Sequence, residues 1–132
     1  MEIEELRVKN LVIYEACTYK VEGVNIIGVP KLNVKAVNHK WGIELCSPAE
    51  VSGIELTPEI LKKNGFVVLN KGIPDIWTKQ LEGNRYIRYH SKVHYVDFET
   101  TNSFSRVPWP VKFLHQMQNA TTDYGLKIEF LA

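Results

Sequence analysis

The chain of 132 residues carries 16 basic and 15 acidic side chains, which gives a formal net charge of +1 at pH 7. Hydrophobic residues make up 45% and charged residues 23% of the sequence, a composition that excludes an intrinsically disordered chain. The balanced charge argues against a protein dedicated to nucleic acid or to an anionic membrane, because such proteins are usually strongly basic.

The first residues and the two cysteines indicate a cytoplasmic protein. The N-terminus is acidic and lacks the apolar core of a signal peptide, and no apolar run reaches the ~20 residues of a membrane span. Cys17 and Cys46 have no C-x-x-C spacing, so we expect two buried free thiols rather than a disulfide. We therefore predict a cytoplasmic protein that has no membrane partner.

Residues 1–56 predict a small β-barrel domain. The segment 31–37 alternates with great regularity. Its apolar residues Leu32, Val34 and Ala36 face one way, and its polar residues Lys31, Asn33 and Lys35 face the other. A turn that leads into a first strand is predicted within 6–14, and further strands are predicted at 18–26, 31–37, 41–45 and 54–56, with a turn at 38–40. Residues 47–50 predict one helical turn with a capping box, serine at the cap and glutamate three residues later. Four strands, a helical turn and a short fifth strand is the order found in SH3-like barrels, which we expect here.

A short helix at 57–64 separates the two halves of the chain. Thr57 is suited to cap its N-terminus, and Pro58 suits the first helical position, where a missing N–H costs nothing. Gly65 supplies a left-handed stop, and Phe66 stands where a Schellman motif places an apolar contact with Leu61.

Residues 57–132 predict an α+β unit. Its elements are the helix at 57–64, antiparallel strands within 66–98 with a turn at 71–72, a long amphipathic helix at 110–124 and a C-terminal strand at 126–131. At 100° per residue, one side of the long helix is an apolar stripe formed by Phe113, Leu114, Met117, Ala120, Thr121 and Tyr124. We expect this stripe to lie on one face of the second sheet.

The opposite side of the long helix is a candidate binding surface. His115 and Asn119 lie almost opposite the apolar stripe, and Gln118 lies at its margin. His115 and Asn119 are also i,i+4 neighbours that can present a donor and an acceptor side by side. We predict that this side contacts either the N-terminal barrel or a partner; the alternative is a simply solvated face.

The run from 85 to 95 is a candidate nucleic-acid interface. Aromatic residues interleaved with cations on a sheet can stack bases and neutralise phosphates, as in single-strand binders. The residues that would do so are Arg85, Tyr86, Arg88, Tyr89 and Lys92. The alternative is structural, because tyrosine is a preferred strand residue and arginine covers a sheet with its alkyl stem.

No motif of a known catalytic or metal site is present. The sequence has no phosphate-binding glycine loop, nucleophile elbow or H-E-x-x-H motif. His90 and His94 are four residues apart, but Ser91 and Lys92 between them favour a turn, so we expect two sheet residues rather than a metal pair. We predict a non-enzymatic protein that needs no cofactor or metal.

Three stretches in order resemble a known pattern. Residues 5–12 resemble E-L-R-I-G-N-x-V, residues 54–66 resemble I-x-L-T-x-E-x-L-x-K-x-G-F, and residues 114–119 resemble V-H-Q-L-Q-N. Together they resemble short hypothetical proteins of prophage and mobile-element regions in Bacteroidetes. The resemblance implies a phage or mobile-element origin and implies no activity. Lys9 stands where the pattern has glycine, which predicts a different first turn.

The combined prediction is a macromolecule-binding module of phage or mobile-element type. Its partner is expected to be a protein, with single-stranded nucleic acid as the alternative at the 85–95 run. A small enzyme or metal-binding protein is the least favoured alternative.

Overall fold

The computed structural model describes residues 1–37, 42–70 and 73–132. The predicted turns at 38–40 and 71–72, and the first residue of the predicted strand at 41–45, lie outside these ranges. The chain is α+β, with two antiparallel sheets, one of which is strongly curled into a half-barrel. It divides into a first unit of Met1–Ile54, Phe113–Ile128 and Ala132 and a second unit of Glu55–Lys112 and Glu129–Leu131.

The first unit contains a sheet of five strands: β1 (Leu11–Tyr14), β2 (Cys17–Asn25), β3 (Lys31–Ala36), β4 (Glu44–Cys46) and β5 (Val51–Ser52). They lie in the order β4-β3-β2-β1-β5, with antiparallel neighbours. The predicted alternation in β3 is confirmed, because Leu32 and Val34 are fully buried and Asn33 is exposed. The fifth strand precedes the predicted 54–56.

The helical turns of the first unit are short. They are 3₁₀ turns at Ile3–Glu5 and Pro48–Glu50. The predicted capping box at the second turn is confirmed: Ser47 Oγ accepts from the Ala49 N–H, and Glu50 Oε1 accepts from the Ser47 N–H.

The two cysteines differ in environment. Both are free thiols, but only Cys46 is buried, whereas Cys17 at the start of β2 is exposed. The prediction of two buried thiols is therefore wrong for Cys17. Burial raises the pKa of the Cys46 thiol, which keeps that group in its less reactive neutral form.

The second unit contains one short helix and a five-stranded meander. Its elements are α1 (Pro58–Lys63), β6 (Val67–Asn70), β7 (Ile73–Leu81), β8 (Arg85–His90), β9 (Tyr95–Glu99) and β10 (Phe104–Arg106). The antiparallel strands lie in the order β10-β9-β8-β7-β6. One side of this sheet carries the buried side chains of Trp77, Ile87, Tyr89, Val96 and Phe98.

Helix α1 confirms the predicted caps. Thr57 Oγ1 accepts from the Ile60 N–H at 3.3 Å, and Pro58 is the first helical residue. Gly65 has φ +83°, and the Phe66 N–H donates to the Leu61 carbonyl at 3.0 Å, as in a Schellman motif.

The long helix, α2 (Leu114–Asp123), begins later than predicted and belongs to the first unit. Backbone N–H groups near its start donate to carbonyls outside the helix. The Val111 N–H donates to the His94 carbonyl, and the Leu114 N–H donates to the Ile54 carbonyl. The expected placement of this helix with 57–132 therefore differs from the structure. Amphipathic spacing locates an apolar side but does not identify the surface that covers it.

The C-terminal segment is not the predicted strand, since no strand is described between 126 and 131. Its backbone pairs with a side chain instead. The Leu131 N–H donates to Asn64 Oδ1 at 2.6 Å, and Asn64 Nδ2 donates to the Leu131 carbonyl at 2.8 Å. One asparagine amide thus supplies the donor and acceptor that a neighbouring strand would provide.

Candidate functional site

The polar side of α2 is an internal contact of the first unit. Asn119 Nδ2 donates to the Glu5 carbonyl at 2.8 Å, and Asn10 Nδ2 donates to Asn119 Oδ1 at the same distance. Gln118 accepts from the Leu11 N–H at 2.9 Å. The sequence predicted that this side contacts either the N-terminal barrel or a partner, and the structure shows contacts with residues of the N-terminal segment.

His115 is the most deeply buried polar group of this contact. Its side chain is fully buried, its Nε2 lies 3.3 Å from Glu5 Oε2, and its ring stacks on Phe113. Burial lowers the pKa of His115, and the neighbouring Glu5 only partly opposes that effect. His115 and Asn119 are therefore not accessible to a partner, which corrects their assignment as partner-binding residues.

The first turn adopts a left-handed conformation at Lys9. Its φ is +76°, in the left-handed region that favours glycine. Gln118 Nε2 donates to the Lys9 carbonyl at 3.2 Å. At the end of α2, Arg7 forms a bidentate pair with Asp123 at 2.6 and 3.1 Å.

The arginine and tyrosine run in β8 is divided between the two sides of the second sheet. Tyr89 is only 1% exposed and belongs to the core, whereas Tyr86 and Arg88 lie on the outer side. Arg85 begins β8 and Lys92 follows its end, so these two cations lie at opposite ends of the strand. The five residues therefore do not form one aromatic and cationic surface.

The charges on the outer side of the second sheet neutralise one another. Arg106 binds Asp97 through two nitrogens at 2.7 and 3.1 Å, and His90 Nε2 lies 3.1 Å from the same carboxylate. Arg88 Nε lies 2.8 Å from Glu99 Oε2 on the neighbouring strand. This surface offers little uncompensated positive charge to a phosphate.

Asp97 is the centre of that network and is only 3% exposed. Burial by itself raises the pKa of Asp97, but hydrogen bonding and charge from Arg106, together with His90, outweigh burial and lower it. The Arg106 guanidinium also lies 4.7 Å above the centre of the Tyr95 ring. Asp97 therefore links three strands as a structural anion.

The two histidines near the β8–β9 turn have separate partners. His90 contacts Asp97, and His94 Nδ1 lies 3.4 Å from the Tyr89 hydroxyl. Within the described residues, no group of three or more histidine, cysteine or acidic side chains is placed to hold a metal ion.

A further surface, which was not predicted from the sequence, lies on the first sheet at its β4 edge. Asn33 is directly opposite Leu45, while the adjoining pair Leu32 and Cys46 is buried, so Leu45 points away from the core. Leu45 is 63% exposed and Ile43, just before β4, is 59% exposed. We call the outer side of β3 and β4 the edge surface; its residues are Lys31, Asn33, Lys35, Ile43 and Leu45.

Strand β4 is an edge strand of the first sheet. Among the described residues it pairs with β3 on one side only. The unpaired backbone groups of an edge strand can form hydrogen bonds with a further strand, and exposed aliphatic side chains beside them can be buried by it. The alternation of Ile43 and Leu45 with Glu44 and Cys46 could have indicated this surface, because one of the two pairs has to face outward.

Comparison with protein-family models, with curated proteins and with solved structures gives no match for the chain. In the described ranges, none of the helices combines the length and the apolar character that a membrane crossing requires.

Proposed function

We propose that the chain is a non-enzymatic binding module that receives a protein partner at the edge surface. The observation that carries this proposal is a pair of exposed aliphatic side chains at the sheet edge, Leu45 on β4 and Ile43 just before it. In the part of the chain that the structure describes, β4 has a neighbouring strand on one side only. Exposed apolar groups beside an open sheet edge favour a protein partner, because backbone pairing and apolar burial then act together.

The finer assignments are part of the same proposal. The first unit is taken to be a small SH3-like barrel, supported by the order of its strands and the 3₁₀ turn before β5. The phage or mobile-element origin implied by the resemblance remains a prediction, as does a cytoplasmic location. The neutralised charges around Asp97 make protein a better-supported partner than nucleic acid.

A paired comparison of two double variants tests the proposed surface. One is Ile43→Ser with Leu45→Ser; the matched control is Val67→Ser with Leu69→Ser, which removes two exposed aliphatic side chains from the β6 edge of the other sheet. Each protein is immobilised and used for capture from a lysate of the source organism, with and without nuclease treatment. Unchanged melting temperatures establish that all three remain folded.

We expect wild type and the β6 variant to retain the same protein, and the edge-surface variant to lose it. Equal capture by all three, or capture that nuclease abolishes, contradicts the proposed function.

A further inference from the structure

The outer side of the first sheet carries lysines whose charge is incompletely balanced. Lys20 and Lys35 are directly opposite each other on β2 and β3, a placement of like charges that destabilises a sheet. Lys31 lies on the same side as Lys35, four residues before it on β3. The arrangement is therefore unfavourable for the isolated sheet.

The neighbouring acids do not remove this imbalance. Glu22 lies 3.7 Å from Lys20, which leaves Lys31 and Lys35 without an ion pair to any described carboxylate. Glu44 is directly opposite the buried Val34, so it lies on the other side of the sheet. Burial raises the pKa of the inward-facing Tyr19, and the negative charge of Glu44 raises it further. The edge surface thus combines two lysines with two exposed aliphatic side chains.

A strand added to β4 would meet both features. Its outward side chains would lie next to Ile43 and Leu45, at the ~4.8 Å spacing of paired strands. The β3 lysines lie one strand further away, and their long stems can cross the aliphatic row to reach a carboxylate. Alternate residues of the partner would then be aliphatic at the centre and acidic on either side.

A second copy of this chain fits the same surface less well. Pairing of two β4 edges would align the aliphatic side chains, but it would also bring Lys31 and Lys35 of each copy towards the same residues of the other. Like charges across an interface disfavour association, whereas an acidic partner relieves the repulsion already present.

We infer that the edge surface binds an extended acidic and aliphatic protein segment, which adds to the first sheet as a strand beside β4. The inference rests on the proposed function and specifies its partner. Backbone pairing provides the affinity, Ile43 and Leu45 select aliphatic side chains, and Lys31 and Lys35 select acidic ones.

Fluorescent peptides of about eight residues, the length of a typical strand, test the inference by anisotropy. The acidic peptide alternates serine with glutamate, isoleucine, valine and glutamate. A basic peptide replaces both glutamates by lysine. Two further peptides carry N-methyl groups on one or the other set of alternate amides of the acidic sequence. A labelled single-stranded oligonucleotide is the nucleic-acid probe.

We expect the acidic peptide to bind at least about tenfold more tightly than the basic one. N-methylation along the edge of the peptide that pairs with β4 should abolish binding, and N-methylation along its other edge should not. The variant Lys31→Glu with Lys35→Glu should weaken the acidic peptide by about tenfold or more. The control Lys92→Glu with Lys127→Glu makes the same change in net charge at exposed sites and should change Kd by less than about threefold.

Each other outcome overturns a stated part of the inference. Equal binding of acidic and basic peptides removes the charge selection, while loss of protein capture by the Ile43 and Leu45 variant would still uphold the proposed function. Undiminished binding of both N-methylated registers removes strand addition. A dimer in sedimentation that depends on Ile43 and Leu45 makes a second copy the occupant, and tighter binding of the oligonucleotide makes it nucleic acid.

Discussion

The outer sides of the two sheets use charge in opposite ways. On the second sheet, the buried Asp97 carboxylate binds both His90 and Arg106 in one network across three strands. On the first sheet, Lys31 and Lys35 have no such anion among the described residues. In the basic and aromatic run of β8, Tyr89 is buried and Arg88 faces the carboxylate of Glu99. The β3–β4 segment instead presents unbalanced lysines beside exposed aliphatic side chains.

Removal of the central anion of the second sheet should have the largest effect. Asp97→Ala leaves His90 and Arg106 without their shared carboxylate, which we expect to cost about 3 kcal/mol of unfolding free energy. Urea denaturation measures it. Glu99→Ala is the control, with an expected loss of about 1 kcal/mol or less, because its partner Arg88 is one-third exposed. Equal losses would contradict a network centred on Asp97.

Asn119→Ala tests the hydrogen-bonded contact of α2, which lies in the same unit as the edge surface. The change removes the acceptor of Asn10 and the donor to the Glu5 carbonyl, so we expect a loss of about 2 kcal/mol by urea denaturation. The control Thr122→Ala lies on the exposed side of α2 and should cost about 0.5 kcal/mol or less. A stable Asn119 variant would mean that the α2 contact is weak.

Acid should weaken the two regions in different pH ranges. The pKa of His115 is lowered in the folded chain, so the unfolded chain binds more protons and stability falls as the pH drops below ~6.5. The pKa of Asp97 is also lowered, and its contribution is lost only as the pH falls below ~4.

Chemical denaturation at a series of pH values measures both slopes. His115→Gln should remove the first slope and leave the second, whereas Asp97→Asn should do the reverse. If the stability is flat between pH 6.5 and 5 in wild type, the account of His115 is wrong.

The smallest expected effect is a gain. Lys35→Glu replaces a like-charged cross-strand pair by an opposite one with Lys20, which should stabilise the chain by about 0.3 kcal/mol. Lys35→Gln should lie between this variant and wild type, as read from precise urea midpoints at low salt. A loss of about 1 kcal/mol in either variant would show that Lys35 has a structural partner, contrary to the comparison.

Local signals explain which parts of the fold could be predicted. The caps of α1 are encoded within a few residues, at Thr57, Pro58 and Gly65, and all three are confirmed. The placement of α2 depends on residues more than a hundred positions away, such as the pairing of Asn10 with Asn119, which periodicity does not report.

The edge surface was not predicted from the sequence, because it also depends on contacts between residues far apart in the chain. Charge in sequence does not show whether an arginine faces a carboxylate on the next strand, as Arg106 faces Asp97. Strand β10 was itself missed, because 100–105 is polar and lacks the apolar alternation of a buried strand. The lysines of β3 were identified as outward-facing, but their missing counter-charge depends on which strands are neighbours.

Residue-resolved NMR during titration with the acidic peptide tests the central claim most directly. The account predicts amide shift changes concentrated at Lys31–Ala36 and Glu44–Cys46, together with slowed hydrogen exchange of β4 amides that face away from β3. Shift changes concentrated at Arg85–His90 and Tyr95–Glu99, or no saturable change in either sheet, would contradict the assignment of the edge surface as the binding site.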